Sequence, residues 1–178
     1  MGWEAAVRQT ARDLVDLAMV LQHDMLFAPL PPGPAPPATV SDEPVDDPVE
    51  RLRARNRRAA EAPEMPESRF LLYLCLKEEM VRRGLDLPVM ASAAGHGIWT
   101  DTDLMEAMLL DPDVAREHFA LATKRCLSLV RRYAETGCVD MVQVGGDFSG
   151  SRPLISPDAY RAFIVPEVRK VSQFVRAN

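Results

Sequence analysis

The stretch that decides the fold is CVDMVQVGGDFSGSRPLISP, residues Cys138–Pro157. Its first part, Val139–Val144, is a short and mostly apolar run, which predicts a buried strand. Gly145–Ser156 is rich in glycine and hydroxyl side chains and predicts a loop. Ser156 followed by Pro157 is the usual start of a helix. The stretch therefore predicts a strand, a loop and a helix in succession.

The same succession occurs twice more upstream. Leu87–Ala94 predicts a second buried strand, and Gly95–Asp103 its loop. Gln22–Leu30 predicts another strand, followed by a long proline-rich loop over residues 29–48. The predicted helices are Trp3–Leu21, one that starts at Asp47-Pro48, Ser68–Arg83 with Gly84 as its cap, residues 104–110 capped by Thr102 or Asp103, one from Asp111-Pro112 to Gly137, and a final helix that contains Pro166.

Strands that alternate with helices predict an α/β fold with a parallel sheet. Three strands are few for such a sheet, because an open doubly wound domain has four to six and a closed barrel has eight. The last residues, Phe174–Asn178, read as the middle of a helix. We therefore expect residues 1–178 to be a single domain that forms an incomplete (β/α)8 barrel.

Composition narrows the classes of function. The 178 residues carry a formal net charge of -5, which argues against a general nucleic-acid binder. The sequence contains no run of about 20 apolar residues and no secretory signal, so we expect neither a membrane partner nor secretion. Cys75, Cys126 and Cys138 are odd in number and lack metal-ligand spacing. They predict reduced, buried thiols in a cytoplasmic protein, with no metal site in this chain.

Taken together, the three units resemble the uroporphyrinogen decarboxylase superfamily, which includes the decarboxylase of haem biosynthesis and cobalamin- or corrinoid-linked methyltransferases. The most specific part is PLISPDAYRAFIVPEVRKV, residues 153–171, which resembles the stretch SP-x-x-[FY]-x-x-F-x-x-P of that family. The middle unit matches through Trp99-Thr100 followed by LMEAMLLDPDVAREHF. The first unit matches through HDMLFAPLPPG at residues 23–33.

The resemblance implies a barrel whose site lies at the carboxyl ends of its strands. It aligns Asp24 with the decarboxylase aspartate that binds pyrrole N–H groups, and a carboxylate suits that role because it stabilises developing positive charge. Several family features are missing from this chain. The arginine-bearing arm of the decarboxylases is absent, Leu104 lies near the place of the expected tyrosine, and Asp147 replaces a small hydroxyl residue. The His-x-Cys zinc pair of the methyltransferases is also absent.

Two carboxylates are the candidate catalytic groups, Asp24 and Asp147. Asp147 lies between glycines that allow close approach of the backbone to a ligand, although an Asx turn is the simpler interpretation. The same two interpretations, ligand contact or local structure, apply to the candidate substrate-binding residues. These are His23, His96, Trp99, Asp101, Ser149, Ser151 and Arg152.

Three other groups have simpler interpretations. His118 and the five arginines of Arg51–Arg58 are expected to face solvent. Glu78 and Glu79 are adjacent on a helix and therefore point in different directions, so they are not expected to form a catalytic dyad.

Two hypotheses of function follow from the sequence. The first is a decarboxylase-like enzyme that acts on a tetrapyrrole or a corrinoid-linked substrate, with the methyltransferase-like branch favoured. It holds no cofactor in this chain, but zinc and a corrinoid would belong to a full-length methyltransferase parent. The second is a catalytically inactive fragment that binds a partner, either another copy or a chain that complements the half-barrel, because open sheet edges invite pairing.

Overall fold

The computed structural model describes residues 2–31, 45–93, 96, 101–143 and 155–177. These residues form mostly helices together with a small parallel sheet, which confirms the predicted α/β class. The strands are β1 (Leu26–Ala28), β2 (Val89–Ser92) and β3 (Met141–Gln143). The helices are α1 (Trp3–Leu21), α2 (Pro48–Glu61), α3 (Leu71–Arg83, after a 3-10 turn at Glu67–Phe70), α4 (Thr102–Leu110), α5 (Pro112–Thr136), α6 (Pro157–Phe163) and α7 (Val165–Ala177).

The described strands pair in parallel in the order β1-β2-β3. Phe27, Met90 and Met141 form one row across the sheet, and Ala28, Ala91 and Val142 form the next. Neighbouring rows point to opposite faces, because side chains alternate along a strand. All three strands are shorter than predicted, and β1 ends before Pro29, whose ring nitrogen has no hydrogen to donate to a ladder.

The prediction that Val139–Val144 is a buried strand was wrong in two respects. The strand begins at Met141, two residues later than predicted, and Met141 is 38% exposed; Val144 lies outside the described residues. Among the described strands β3 pairs only with β2, which leaves it at an edge of the sheet. Apolar composition predicted a strand correctly, but the burial of that strand depends on the elements that pack beside it.

Most helix ends follow the sequence signals. The Asp47 side chain accepts a hydrogen bond from the Val49 amide at 2.8 Å and caps α2, as predicted. Gly84 and Gly137 have left-handed backbones, with φ of 66° and 59°, at the ends of α3 and α5. Two expectations were wrong. The cap of α4 is Asp101, one residue earlier than expected, and the predicted final helix divides at Ile164 into α6 and α7.

The division at Ile164 has a local cause. Pro166 cannot donate to the carbonyl four residues before it, and its ring crowds that carbonyl, so a continuous helix through this position is unfavourable. The chain instead begins α7 at Val165, with the proline in the first turn, where helices tolerate it. Ile164 is fully buried and belongs to the apolar core around it.

The described elements form two compact units. The first contains α1, the sheet, α3 and the last residues of α5 from Leu129. In this unit the Tyr73 hydroxyl donates to the Ala28 carbonyl and the Tyr133 hydroxyl donates to the Ser92 carbonyl, each at 3.1 Å. These bonds connect α3 to β1 and the end of α5 to β2, while α1 packs against α3.

The second unit is helical and contains α2, α4, α5 as far as Ser128, α6 and α7. Its core gathers the apolar faces of these helices around Val49, Leu52, Leu104, Ala107, Met108, Val114, Ala115, Phe119, Phe163 and Ile164. Of the helices described in either unit, none has both the length and the apolar character needed to cross a bilayer.

Candidate functional site

Five of the nine candidate site residues lie outside the described residues. These are Trp99, Asp147, Ser149, Ser151 and Arg152. In the chain, Trp99 follows β2 and the other four follow β3, so all five come after the carboxyl end of a strand. Their roles stay predictions.

His23 and Asp24 lie between α1 and β1, and both are exposed. The His23 amide donates to the Ala18 carbonyl at 2.9 Å, next to Gln22 in a left-handed conformation with φ of 54°. The two residues thus follow the turn that ends α1 and come before the amino end of β1. A barrel places its site at the carboxyl ends of its strands. This position favours the interpretation of the pair as turn residues.

His96 is 1% exposed, and its Nε2 lies 2.8 Å from the Thr123 hydroxyl on α5. Burial lowers the pKa of His96, whereas the negative charge of Glu167 on α7 acts in the opposite direction. Burial therefore favours the uncharged form of the ring. Its other nitrogen, Nδ1, is buried and has no hydrogen-bond partner among the described residues, and the same holds for Oε2 of Glu167.

The sequence analysis missed Thr123 and Glu167, although a signal was present. Thr123 lies four residues after Phe119 on the buried face of α5, and Glu167 lies four residues before Val171 on the buried face of α7. A polar residue at the helical spacing of an apolar stripe must find a partner or a ligand when it is buried. Both residues are buried, together with His96.

The Asp101 side chain makes two structural contacts. It accepts from the Leu104 amide at 3.1 Å, which caps α4. It also receives two hydrogen bonds from the Arg55 guanidinium, at 2.9 and 3.0 Å. A bidentate pair of this kind fixes both side chains, so Asp101 anchors the start of α4 to α2.

The arginine run and His118 correct two expectations of solvent exposure. Arg51 and Arg53 bind Asp103 and Asp111, with shortest N–O distances of 2.6 and 2.9 Å, so the run faces aspartates as well as solvent. His118 is half-buried, and its Nδ1 lies 3.1 Å from Oδ1 of Asn56. Burial lowers the pKa of His118. The high charge around these side chains suggested that they face solvent. Residues on neighbouring helices instead bind several of them.

Glu78 and Glu79 point in different directions, as predicted. Glu79 is buried and binds the guanidinium groups of Arg82 and Arg83. Glu78 is exposed and binds Arg8 at 3.2 Å. With separate partners, the two carboxylates do not share a proton or a ligand.

The described residues do not fit the zinc site that the methyltransferase branch would carry. Cys75, Cys126 and Cys138 are all buried free thiols. Burial raises the pKa of Cys126 to about 11 and also raises that of Cys75, whereas zinc binds the thiolate. In the described ranges, no three potential metal ligands among His, Cys, Asp and Glu lie together.

Comparisons with family models, with curated proteins and with solved structures gave no match.

Proposed function

We propose that this chain contributes three β/α units to a uroporphyrinogen decarboxylase-like (β/α)8 domain. The domain acts on a tetrapyrrole or in cobalamin- or corrinoid-linked methyl transfer, and the methyltransferase-like branch is favoured. The observation that carries the proposal is the sheet. Its strands are parallel and lie side by side in chain order, and two helices of the same unit bind strand carbonyls through Tyr73 and Tyr133.

The two faces of the sheet support this interpretation. Leu26, Ala28, Val89 and Ala91 are buried. The row on the opposite face is open, with Phe27 44% exposed and Met141 38% exposed. A doubly wound sheet carries helices on both faces, whereas the strands of a barrel carry helices only outside and turn the other face towards the barrel interior.

The preference for the methyltransferase-like branch rests on missing decarboxylase groups. Leu104, near the place of the tyrosine in the decarboxylases, is buried in the apolar core of the helical unit. Leucine has no hydroxyl group, so this position cannot make the hydrogen bond that a tyrosine would make to a substrate. Asp147 is the proposed polar contact with the ligand, because it follows the carboxyl end of β3, whereas Asp24 precedes β1.

Two assays on the same preparation of a full-length parent that contains this chain test the proposal. Under anaerobic conditions, the protein is incubated with uroporphyrinogen and the formation of coproporphyrinogen is measured; separately, demethylation of methylcobalamin is followed in the presence of a thiol. We expect methyl transfer, and we expect Asp147→Asn to slow it by about 100-fold, the order found when a preorganised polar group is removed. Asp158→Asn is the matched control, because its side chain is 93% exposed.

The opposite result is equally informative. Production of coproporphyrinogen at a normal rate, abolished by Asp24→Asn, would contradict both the preference for methyl transfer and the interpretation of Asp24 as a turn residue. Failure of both assays would favour the second candidate.

The second candidate is an inactive module that binds a partner. The observation in its favour is that β1 and β3 are edges of the sheet among the described strands, and edge strands offer unpaired backbone groups to another chain. Size-exclusion chromatography that shows a stable monomer with a single cooperative melting transition would count against it.

A further inference from the structure

A small cavity between α1 and α3 lies within the first compact unit and contains none of the candidate site residues. Its volume is about 200 Å³, which is smaller than the pockets that bind drug-sized ligands. Six side chains line it, and five of them belong to charged residue types. They are Arg8 and Arg12 from α1, and Cys75, Glu78, Glu79 and Arg82 from α3.

Two ion pairs connect α1 to α3 on either side of Arg12. Arg8 binds Glu78 at 3.2 Å, one turn before it. Asp16 binds Arg83, one turn after it. Residues spaced by four lie on the same side of a helix, so Arg8, Arg12 and Asp16 form one row along α1. Arg12 is the member of this row whose guanidinium has no hydrogen bond or ion pair with any residue that the structure describes.

The carboxylates on the α3 side of the cavity are already engaged. Glu78 binds Arg8, and Glu79 binds Arg82. The bonds of Arg82 to described residues use Nε and Nη2, so its Nη1 stays available as a donor. Arg12 also lies one turn from Arg8, and like charges at this spacing repel each other. Three arginines and two glutamates among the lining residues leave a surplus of one positive charge.

We propose that this cavity binds the carboxylate of a small monocarboxylate, with the Arg12 guanidinium as its main partner. A guanidinium presents two parallel N–H groups that match the two oxygens of a carboxylate. One negative charge balances the surplus charge of the cavity. A dianion would exceed it and would be repelled by Glu79, whose side chain is 8% exposed.

The Cys75 thiol supplies a neutral part of the cavity. Burial raises the pKa of Cys75, although the charge of Arg8 acts in the opposite direction, so burial favours the uncharged thiol. An uncharged thiol behaves as a small apolar group and can contact the carbon atoms of the ligand. Because α1 and α3 alone line the cavity, the site stands whether or not the chain performs the proposed reaction.

The test is a titration of the full 178-residue chain, followed by NMR of the arginine Nε–H groups. The signals of Arg12 and Arg82 are identified by their loss in Arg12→Gln and Arg82→Gln. Propionate, propylamine and sulfate serve as the monocarboxylate, cation and dianion probes at neutral pH and equal ionic strength. We expect a saturable shift of the Arg12 signal with propionate, a Kd about tenfold higher or more for sulfate, and no saturable shift with propylamine.

Arg12→Gln tests the contact itself. Arg161→Gln is the matched control, because it removes an arginine on α6 whose side chain is 70% exposed. Followed through the Arg82 signal, Arg12→Gln should weaken propionate binding about tenfold or more, because hydrogen bonds between charged groups are lost. The control should leave the affinity unchanged.

Three results would overturn the proposal. They are equal losses of affinity in the two variants, binding of sulfate or propylamine as tight as that of propionate, and the absence of any saturable shift. Arg12 is exposed, so its replacement by glutamine is expected to leave the fold intact. The comparison of the three probes in the unsubstituted protein decides the matter even if a variant does not fold.

Discussion

At the scale of single residues, Glu79 shows how one buried carboxylate links stability to pH. The Arg82 guanidinium, together with that of Arg83, holds the pKa of Glu79 at about 2, against the opposing effect of burial. The ordinary pKa of this side chain is 4.5. A carboxylate with a lower pKa in the folded state stabilises the fold above its unfolded pKa, and this contribution is lost as the pH falls towards the folded value.

We therefore expect Glu79→Gln to lower the free energy of unfolding at pH 7 and to lose this effect in acid. The difference from the unsubstituted protein should be constant above about pH 5.5, shrink below about pH 4.5 and be nearly absent near pH 2. Urea unfolding at a series of pH values measures it. The neighbouring Glu78→Gln is the control, since the Glu78 side chain is 68% exposed and should show little pH-dependent difference. A difference that stayed constant down to pH 2 would contradict the role of the two arginines.

At the scale of elements, Asp101 connects the start of α4 with α2 in two separable ways. As the N-cap it accepts from the Leu104 amide, and as an anion it binds Arg55 through two hydrogen bonds. Asparagine can replace the cap but not the ion pair, whereas alanine replaces neither. Comparing the two substitutions therefore separates the contribution of the N-cap from that of the ion pair.

We expect Asp101→Asn to cost about 0.5–1 kcal/mol, because the pair with Arg55 is only partly buried. Asp101→Ala should cost about 1 kcal/mol more, which is the usual value of an N-cap. Chemical denaturation measures both. Asp113→Asn is the control in the first turn of α5, where the side chain is 91% exposed, and it should change stability by less than about 0.5 kcal/mol. Equal costs for asparagine and alanine would show that the cap contributes nothing.

The elements also show what the sequence could predict. Local signals were sufficient for α1, for the cap at Asp47 and for the left-handed Gly84, because each depends on a few neighbouring residues. They failed where a distant partner decides the outcome. The exposure of β3 depends on which strands flank it, and the burial of His118 depends on Asn56, which lies 62 residues away.

The candidate site divides in the same way. Sequence reasoning identified His96 and Asp101, but it could not find Thr123 and Arg55, which contact them from other helices. The resemblance also aligned Asp24 with a site at the carboxyl ends of strands, whereas the residue lies between α1 and the amino end of β1.

At the scale of the whole molecule, the last prediction follows from the unequal exposure of the two faces of the sheet. Leu26 is buried beside Phe27, whose side chain points to the opposite face and is 44% exposed. Leu26→Ala should therefore cost about 2–4 kcal/mol, the usual value for loss of a buried leucine side chain. Phe27→Gln should cost less than about 1 kcal/mol, and so should Met141→Gln on the same row, because both side chains are already partly exposed to water.

The comparison is made by urea unfolding at two protein concentrations that differ by about 100-fold. Independence of concentration, with a large cost only for Leu26→Ala, is the result expected of an open sheet face in the isolated chain. If Phe27→Gln and Met141→Gln cost as much as Leu26→Ala, and unfolding depends on concentration, another copy of the chain covers this face in solution. That outcome would favour the partner-binding alternative, because the face would then be buried by association and not turned towards the interior of a barrel.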